Sequence, residues 1–149
     1  MRRGLTLIEL ILVVAIMTSV GILSAPVYSR FLTQNAVEEA ATIVSQNLRK
    51  AQWYALMSRK SSVSGWGVYY LDNPAQEMVL YQGANYASRN PAVDEKTKLP
   101  GRIGVTNFEV NFTRVTGIPG GLPTIIISGQ GNTRSISING MGVVSVAKI

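Results

Sequence analysis

The chain begins with a long apolar segment that contains a single acidic residue. Residues 5–28 carry one charged side chain, Glu9, and residues 10–29 carry none. A helix needs roughly 20 mainly apolar residues to cross a bilayer, so the segment is long enough to span one. Arg2 and Arg3 precede it. The positive-inside rule then predicts a cytoplasmic N-terminus and places everything after residue 28 outside.

Three interpretations of this segment compete. A cleaved secretory signal is disfavoured because Glu9 lies inside the apolar region, and because a cut after Ala25 would leave Pro26 beside the cleaved bond. In a plain membrane anchor, a carboxylate at the bilayer centre costs about 2.5–3.5 kcal/mol. The third interpretation gives Glu9 a function that offsets this cost.

A short motif supports the third interpretation. Residues 4–10 read Gly-Leu-Thr-Leu-Ile-Glu-Leu behind an arginine-rich leader, and this pattern resembles the class III signal of type IV pilins and type II secretion pseudopilins. The resemblance implies that a prepilin peptidase removes residues 1–4 by cutting between Gly4 and Leu5. It also implies that Leu5 is then N-methylated, although phenylalanine is usual in the family at this position. Glu9 matches the family's assembly glutamate, and Pro26 its helix-bending proline.

The electrostatics of the apolar segment agree with that assignment. A carboxylate in hydrocarbon is stabilised when an opposite charge lies within hydrogen-bonding reach. After cleavage, the cationic amine of Leu5 provides such a charge, either from the same chain or from a neighbouring subunit. We expect the neighbour's amine to be the partner, because that pairing rewards assembly. At Pro26 we expect a kink and not the end of the helix, because helical patterning resumes at once.

The next segment predicts a continuation of the same helix. Between Arg30 and Arg59, apolar residues recur at steps of three and four and form one stripe: Val37, Ala41, Val44, Leu48, Ala51 and Ala55. Joined to the apolar segment, the helix extends from about Leu5 to Arg59. Half of such a helix lies outside its own domain, and we expect other copies of the chain to bury it.

The remainder of the chain predicts short strands. Six segments alternate in the manner of strands: Trp66–Leu71, Glu77–Gln82, Phe108–Val115, Thr124–Ser128, Arg134–Asn139 and Val143–Ala147. We expect the first two to form a hairpin and the last three an antiparallel meander, with a long surface loop over residues 84–104. The predicted fold is α+β and pilin-like, with residues 5–28 in the membrane. The C-terminal half of the helix packs on an antiparallel sheet in a domain of residues 29–149.

Composition excludes several classes of chemistry. The chain has no cysteine and no histidine, which removes disulfides, thiolate and histidine metal ligands, and Ser-His or Cys-His nucleophile pairs. Asp94 and Glu95 have no second acidic cluster nearby in sequence to complete a calcium site. We therefore expect no enzyme activity, no cofactor and no metal.

DNA is the alternative partner. The C-terminal half weakly resembles the GspH/FimT group, which includes DNA-uptake receptors that use a basic Gly-Arg-Val-Arg-like strand. The matching residues here, 142–145, read Gly-Val-Val-Ser and lack both arginines. The net charge of +6 is scattered and forms no dense stripe. Arg114, Arg134 and Lys148 remain as candidate phosphate contacts.

The resemblance as a whole implies a structural subunit of a type IV pilus or a type II secretion-type pseudopilus. The chain would be held in the cytoplasmic membrane by one helix and surrounded by lipid before assembly. A prepilin peptidase and an inner-membrane assembly platform would act on it. It would then polymerise with identical or different pilin-like subunits outside the membrane. A FimT-like DNA-binding minor pilin is the alternative.

Replacing Gly4 tests the processing step. Gly4→Leu removes the residue after which the peptidase cuts, so we expect the extracted protein to retain residues 1–4. Mass spectrometry of the N-terminal peptide measures this directly. Gly21→Leu, a change inside the apolar segment, is the control and keeps the normal N-terminus. An N-terminus at Leu5 in Gly4→Leu would contradict class III processing.

Overall fold

The computed structural model describes residues 6–60, 64–72, 74–101 and 103–149, and at 23–26 it describes the backbone only. The described chain contains one long helix, one short 3-10 helix and eight strands. Their bounds are α1 Leu7–Leu56, β1 Trp66–Tyr70, β2 Glu77–Gln82, the 3-10 helix Pro91–Val93, β3 Glu95–Lys98, β4 Gly104–Val105, β5 Phe108–Phe112, β6 Ile125–Gly129, β7 Asn132–Ile138 and β8 Val144–Lys148.

The chain divides into two compact units. The first unit ends at Leu32, and the second extends from Thr33 to Ile149. The second unit is α+β, with the later part of α1 beside antiparallel strands.

The predicted apolar stripe of α1 is buried in the second unit. Val37, Val44, Leu48, Ala51 and Ala55 are fully buried, and Ala40 and Ala41 lie between them. Four of these seven side chains are alanine. Since alanine projects only a methyl group, large side chains from the sheets fill the space above this stripe.

The strands form two four-stranded antiparallel sheets. One has the order β3-β2-β1-β5 and the other β4-β6-β7-β8. Alternate residues of β1, β2, β5, β6 and β7 point towards one shared core. From β1 these are Trp66, Val68 and Tyr70, and from β5 they are Phe108, Val110 and Phe112. The second sheet adds four isoleucines: Ile125, Ile127, Ile136 and Ile138.

Part of the predicted topology is confirmed. β1 and β2 pair as a hairpin with Trp66 opposite Gln82. β6, β7 and β8 form an antiparallel meander. Helix α1 extends without interruption past the position of Pro26, so the helix does not end there. A bend at that residue stays a prediction.

Other expectations are wrong. Residues 84–104 are not one loop, because they contain the 3-10 helix, β3 and the first residue of β4. The expected six strands and single sheet are eight strands and two sheets among the described residues. The helix ends at Leu56, three residues before the expected end near Arg59. In the segment that follows, Ser58 and Lys60 adopt positive φ angles of 48° and 56°.

Leu48 tests the shared core. Leu48→Ala leaves a cavity beneath both sheets, and we expect the free energy of unfolding to fall by about 2–5 kcal/mol. Gln46→Ala, on the exposed side of the same helix, is the control and changes it by less than about 0.5 kcal/mol. Urea unfolding of the full chain in detergent micelles, followed by tryptophan fluorescence, measures both. Equal effects would contradict this placement of the core.

Candidate functional site

The first unit carries an apolar helical surface that the described part of the chain does not cover. Every large apolar side chain from Leu7 to Ile22 is exposed, over a range from 44% at Val13 to 77% at Leu7. By length and composition, α1 is the one helix in the described residues that is suited to cross a membrane. This surface is therefore free for lipid or for another protein chain.

The hydroxyl side chains of this segment are satisfied within the helix. Thr18 Oγ1 donates a hydrogen bond to the Val14 carbonyl at 2.6 Å, and Ser19 Oγ donates to the Ala15 carbonyl at 2.8 Å. Such bonds to the preceding turn remove free donors. Both residues can thus enter hydrocarbon without unpaired hydroxyl groups.

Glu9 lies in the first turn of α1 with an exposed side chain. A carboxylate near a helix N-terminus gains about 0.3–1 kcal/mol from the helix dipole. The cost of a carboxylate is about 2.5–3.5 kcal/mol at the bilayer centre and less near the interface, so the dipole offsets only part of the cost at the centre. No cation forms a salt bridge with Glu9 in the described part of the chain. Gly4 and Leu5, whose cleavage would supply an amine, lie outside the described residues.

The second unit contains a charged cluster built around Arg134. Arg134 on β7 and Lys148 on β8 are register partners. The Arg134 Nε atom donates to Glu38 Oε1 on α1 at 2.8 Å, and Nη2 contacts the same oxygen. This hydrogen bonding lowers the pKa of Glu38. Two of the three candidate phosphate contacts therefore lie together, but one of them is already paired with an acid.

A polar cleft of about 240 Å³ adjoins this cluster. Its lining includes three carboxamide side chains, from Gln34, Asn35 and Asn132, together with Glu38 and Lys148. Asn132 is 8% exposed, and its Oδ1 atom has no hydrogen-bond partner among the described residues. The cleft presents acceptors of hydrogen bonds beside the Lys148 ammonium group.

Arg114 lies elsewhere. It follows β5, and the next residue, Val115, donates its backbone N–H to the carbonyl of Ala55 near the C-terminal end of α1. Ala55 is about 25 Å along the helix from Glu38 at 1.5 Å per residue. The three cations named from the sequence thus do not form one surface. Sequence reasoning missed Glu38 as the partner of Arg134, because no local pattern links residues 96 positions apart.

The two acids considered for calcium have cationic partners. Asp94 Oδ2 accepts from Arg89 Nε at 2.8 Å, and Glu95 Oε2 accepts from Lys50 Nζ at 2.5 Å. Within the described ranges, no group of three acidic side chains is arranged to hold a metal ion.

No protein-family model, curated protein or solved structure matches this chain. Its function is therefore inferred from its own residues.

The Glu38–Arg134 pair predicts a pH-dependent contribution to stability. Because Arg134 lowers the pKa of folded Glu38 below 4.5, the pair contributes above that pH, and the contribution is lost as the pH falls through the folded pKa. Glu38 is about half exposed, so we expect Glu38→Gln to lower the free energy of unfolding by about 0.2–1 kcal/mol at neutral pH. Urea unfolding across a pH series measures the difference.

Glu39→Gln is the matched control for that series. Glu39 is the next residue on α1, is exposed, and has no salt bridge in the described part of the chain. We expect Glu39→Gln to leave stability unchanged at both ends of the series. A Glu38→Gln effect that persists well below pH 4.5 would show that the ion pair is not its source.

Proposed function

We propose that this chain is a structural subunit of a pilin-like filament, either a type IV pilus or a type II secretion-type pseudopilus. The observation that carries the proposal is the uncovered apolar surface of residues 7–22, with Glu9 in its first helical turn. The same helix continues into a folded α+β unit. A helix that is apolar on all sides at one end and amphipathic at the other suits a subunit that moves from membrane to polymer.

The apolar surface needs a cover at every stage. Burying one large aliphatic side chain is worth about 1.5–3 kcal/mol, and the exposed set includes Leu7, Ile8, Leu10, Ile11, Leu12, Val13 and Val14. Lipid provides this cover before assembly. Equivalent helices of neighbouring subunits provide it in the filament core, after the prepilin peptidase has removed residues 1–4.

Glu9 directs the transfer of the apolar helix from lipid to the helices of neighbouring subunits. The helix dipole alone does not offset the cost of placing its carboxylate in hydrocarbon. A neighbouring subunit's N-terminal amine, generated at Leu5 by cleavage, neutralises it and fixes the axial register of the incoming subunit. Because this pairing joins two subunits, it favours the polymer over the isolated chain.

The second unit supplies the filament surface, and an inner-membrane assembly platform extracts the subunit from the bilayer. DNA binding is the weaker alternative for this surface. Arg134 is already held by Glu38, and Arg114 lies near the opposite end of the helical segment that the fold buries. These positions offer duplex DNA only a dispersed set of cations.

Glu9→Gln tests the proposed function. The substitution keeps the shape of the side chain and removes its charge, so insertion and processing continue while docking loses its ion pair. We expect roughly tenfold less polymer, the change that follows from losing about 1.4 kcal/mol. Immunoblotting of sheared filaments against the membrane fraction measures it in cells that assemble the filament.

Glu39→Gln is again the control, since it removes an exposed acid from the same helix outside the apolar segment. We expect it to leave the amount of polymer unchanged. Normal polymer in normal amounts from Glu9→Gln would refute the docking role of the carboxylate.

A further inference from the structure

The first sheet carries a cleft on the face opposite the shared core. Its volume is about 240 Å³. Tyr69 of β1, Val79 of β2 and Lys96 of β3 are register partners and form one row across three strands. Glu77 lies two residues before Val79 and therefore on the same face. Leu71, just after β1, and Tyr86 and Arg89, from the segment after β2, complete the lining.

The segment that carries Tyr86 and Arg89 is fixed to the sheet. The Tyr86 backbone N–H donates to Glu109 Oε1 at 2.7 Å, and the Tyr81 hydroxyl donates to the same oxygen at 2.8 Å. Burial raises the pKa of Tyr81, so its hydroxyl remains a donor at neutral pH. At the far end, the Asn90 N–H donates to the Gln82 carbonyl at 2.9 Å.

Three planar groups form a stack at one side of the cleft. The rings of Tyr69 and Tyr86 are nearly parallel, with centroids 3.8 Å apart. The guanidinium carbon of Arg89 lies 3.8 Å from the centroid of Tyr86. Two groups this close to one ring must occupy its opposite faces. Asp94 and the Tyr86 carbonyl hold the guanidinium at 2.8 and 2.9 Å, so the stack is formed before any ligand arrives.

The charged side chains at the cleft are paired with one another, but several of their neighbouring donors and acceptors have no partner within the described chain. Arg89 is paired with Asp94, and Lys96 Nζ lies 3.7 Å from Glu77 Oε2. In the described chain, no protein group accepts from Arg89 Nη2, and no partner binds the hydroxyls of Tyr69 and Tyr86. The balance disfavours a ligand with net charge. Donors and acceptors nevertheless lie side by side at the rim.

We propose that this cleft binds a single neutral sugar ring of a polysaccharide. Tyr86 is covered on both faces, so the C–H groups of a pyranose would pack on the face of Tyr69 opposite Tyr86 and beside the small exposed part of Val79. Each hydroxyl of the sugar both donates and accepts, which matches neighbouring ammonium, guanidinium, carboxylate and phenol groups. The cleft is smaller than the roughly 300–1,000 Å³ of sites for drug-sized ligands, so it accommodates one ring. This binding does not depend on filament assembly.

Saturation-transfer NMR on the full chain tests the proposal. The protein is kept in a detergent without a sugar headgroup, because such a headgroup would compete. The probes are glucose, galactose, mannose and N-acetylglucosamine, with glucuronic acid as the charged counterpart and N-acetyltyrosinamide as a stand-in for a protein side chain. We expect saturation transfer to at least one neutral sugar, and weaker transfer to glucuronic acid and N-acetyltyrosinamide.

Two pairs of variants locate the binding. Lys96→Gln removes an exposed donor from an edge strand, and we expect about tenfold weaker binding, as for one hydrogen bond to a charged group. Lys98→Gln, on the same strand and face but outside the lining, leaves binding unchanged. Tyr69→Ala abolishes it, whereas Trp53→Ala, an exposed aromatic residue on α1, does not.

Several outcomes would overturn the proposal. One is the absence of transfer to all four neutral sugars. Another is equal weakening by Lys96→Gln and Lys98→Gln, which would place binding elsewhere. Stronger transfer to glucuronic acid would indicate an anion site, and stronger transfer to N-acetyltyrosinamide would indicate docking of a protein side chain.

Discussion

The packing of the alanine-rich stripe of α1 against large side chains from both sheets is the interaction on which the folded unit depends. The stripe offers little volume of its own, so large side chains from the sheets fill the space above it, among them Trp66, Tyr70 and Phe112. Each sheet alone would leave one apolar face in water, and the helix lets both sheets share one core. Because the core is closely packed, a small change in side-chain volume on this stripe displaces side chains of both sheets.

In the first unit, the same helix carries large aliphatic side chains in place of alanine. Between Leu7 and Ile22 the side chains are mostly large and aliphatic, and none is buried by the described chain. Small side chains suit a contact that forms once during folding. Large, uniform aliphatic side chains suit a surface whose cover is exchanged, because lipid tails and neighbouring helices satisfy it equally well. In the proposed assembly, directional chemistry in this region is left to Glu9, whose single charge would set the register.

Local patterns in the sequence predicted the helix stripe, the β1–β2 hairpin and the β6–β7–β8 meander, since each depends on neighbouring residues. β3 escaped prediction because Glu-Lys-Thr-Lys has no apolar alternation. It is an edge strand made by backbone pairing with β2. The division into two sheets depends on pairing between strands that are far apart in sequence. For example, β5 pairs with β1 and not with β6. Glu9 and Pro26 came from a local motif, whereas the Glu38 partner of Arg134 and the Tyr69–Tyr86 stack required the fold.

In the proposed filament, the Arg134–Glu38 contact would also carry mechanical load. It fastens β7 to the first turns of the helical stretch that belongs to the folded unit. Tension carried along α1 would reach the fold beside this fastening. Strand β8, which pairs with β7 over Arg134–Ile138, would share the load through many backbone hydrogen bonds at once. Strands β7 and β8 would thus resist forced unfolding together. Under load, the rate of unfolding would matter more than equilibrium stability.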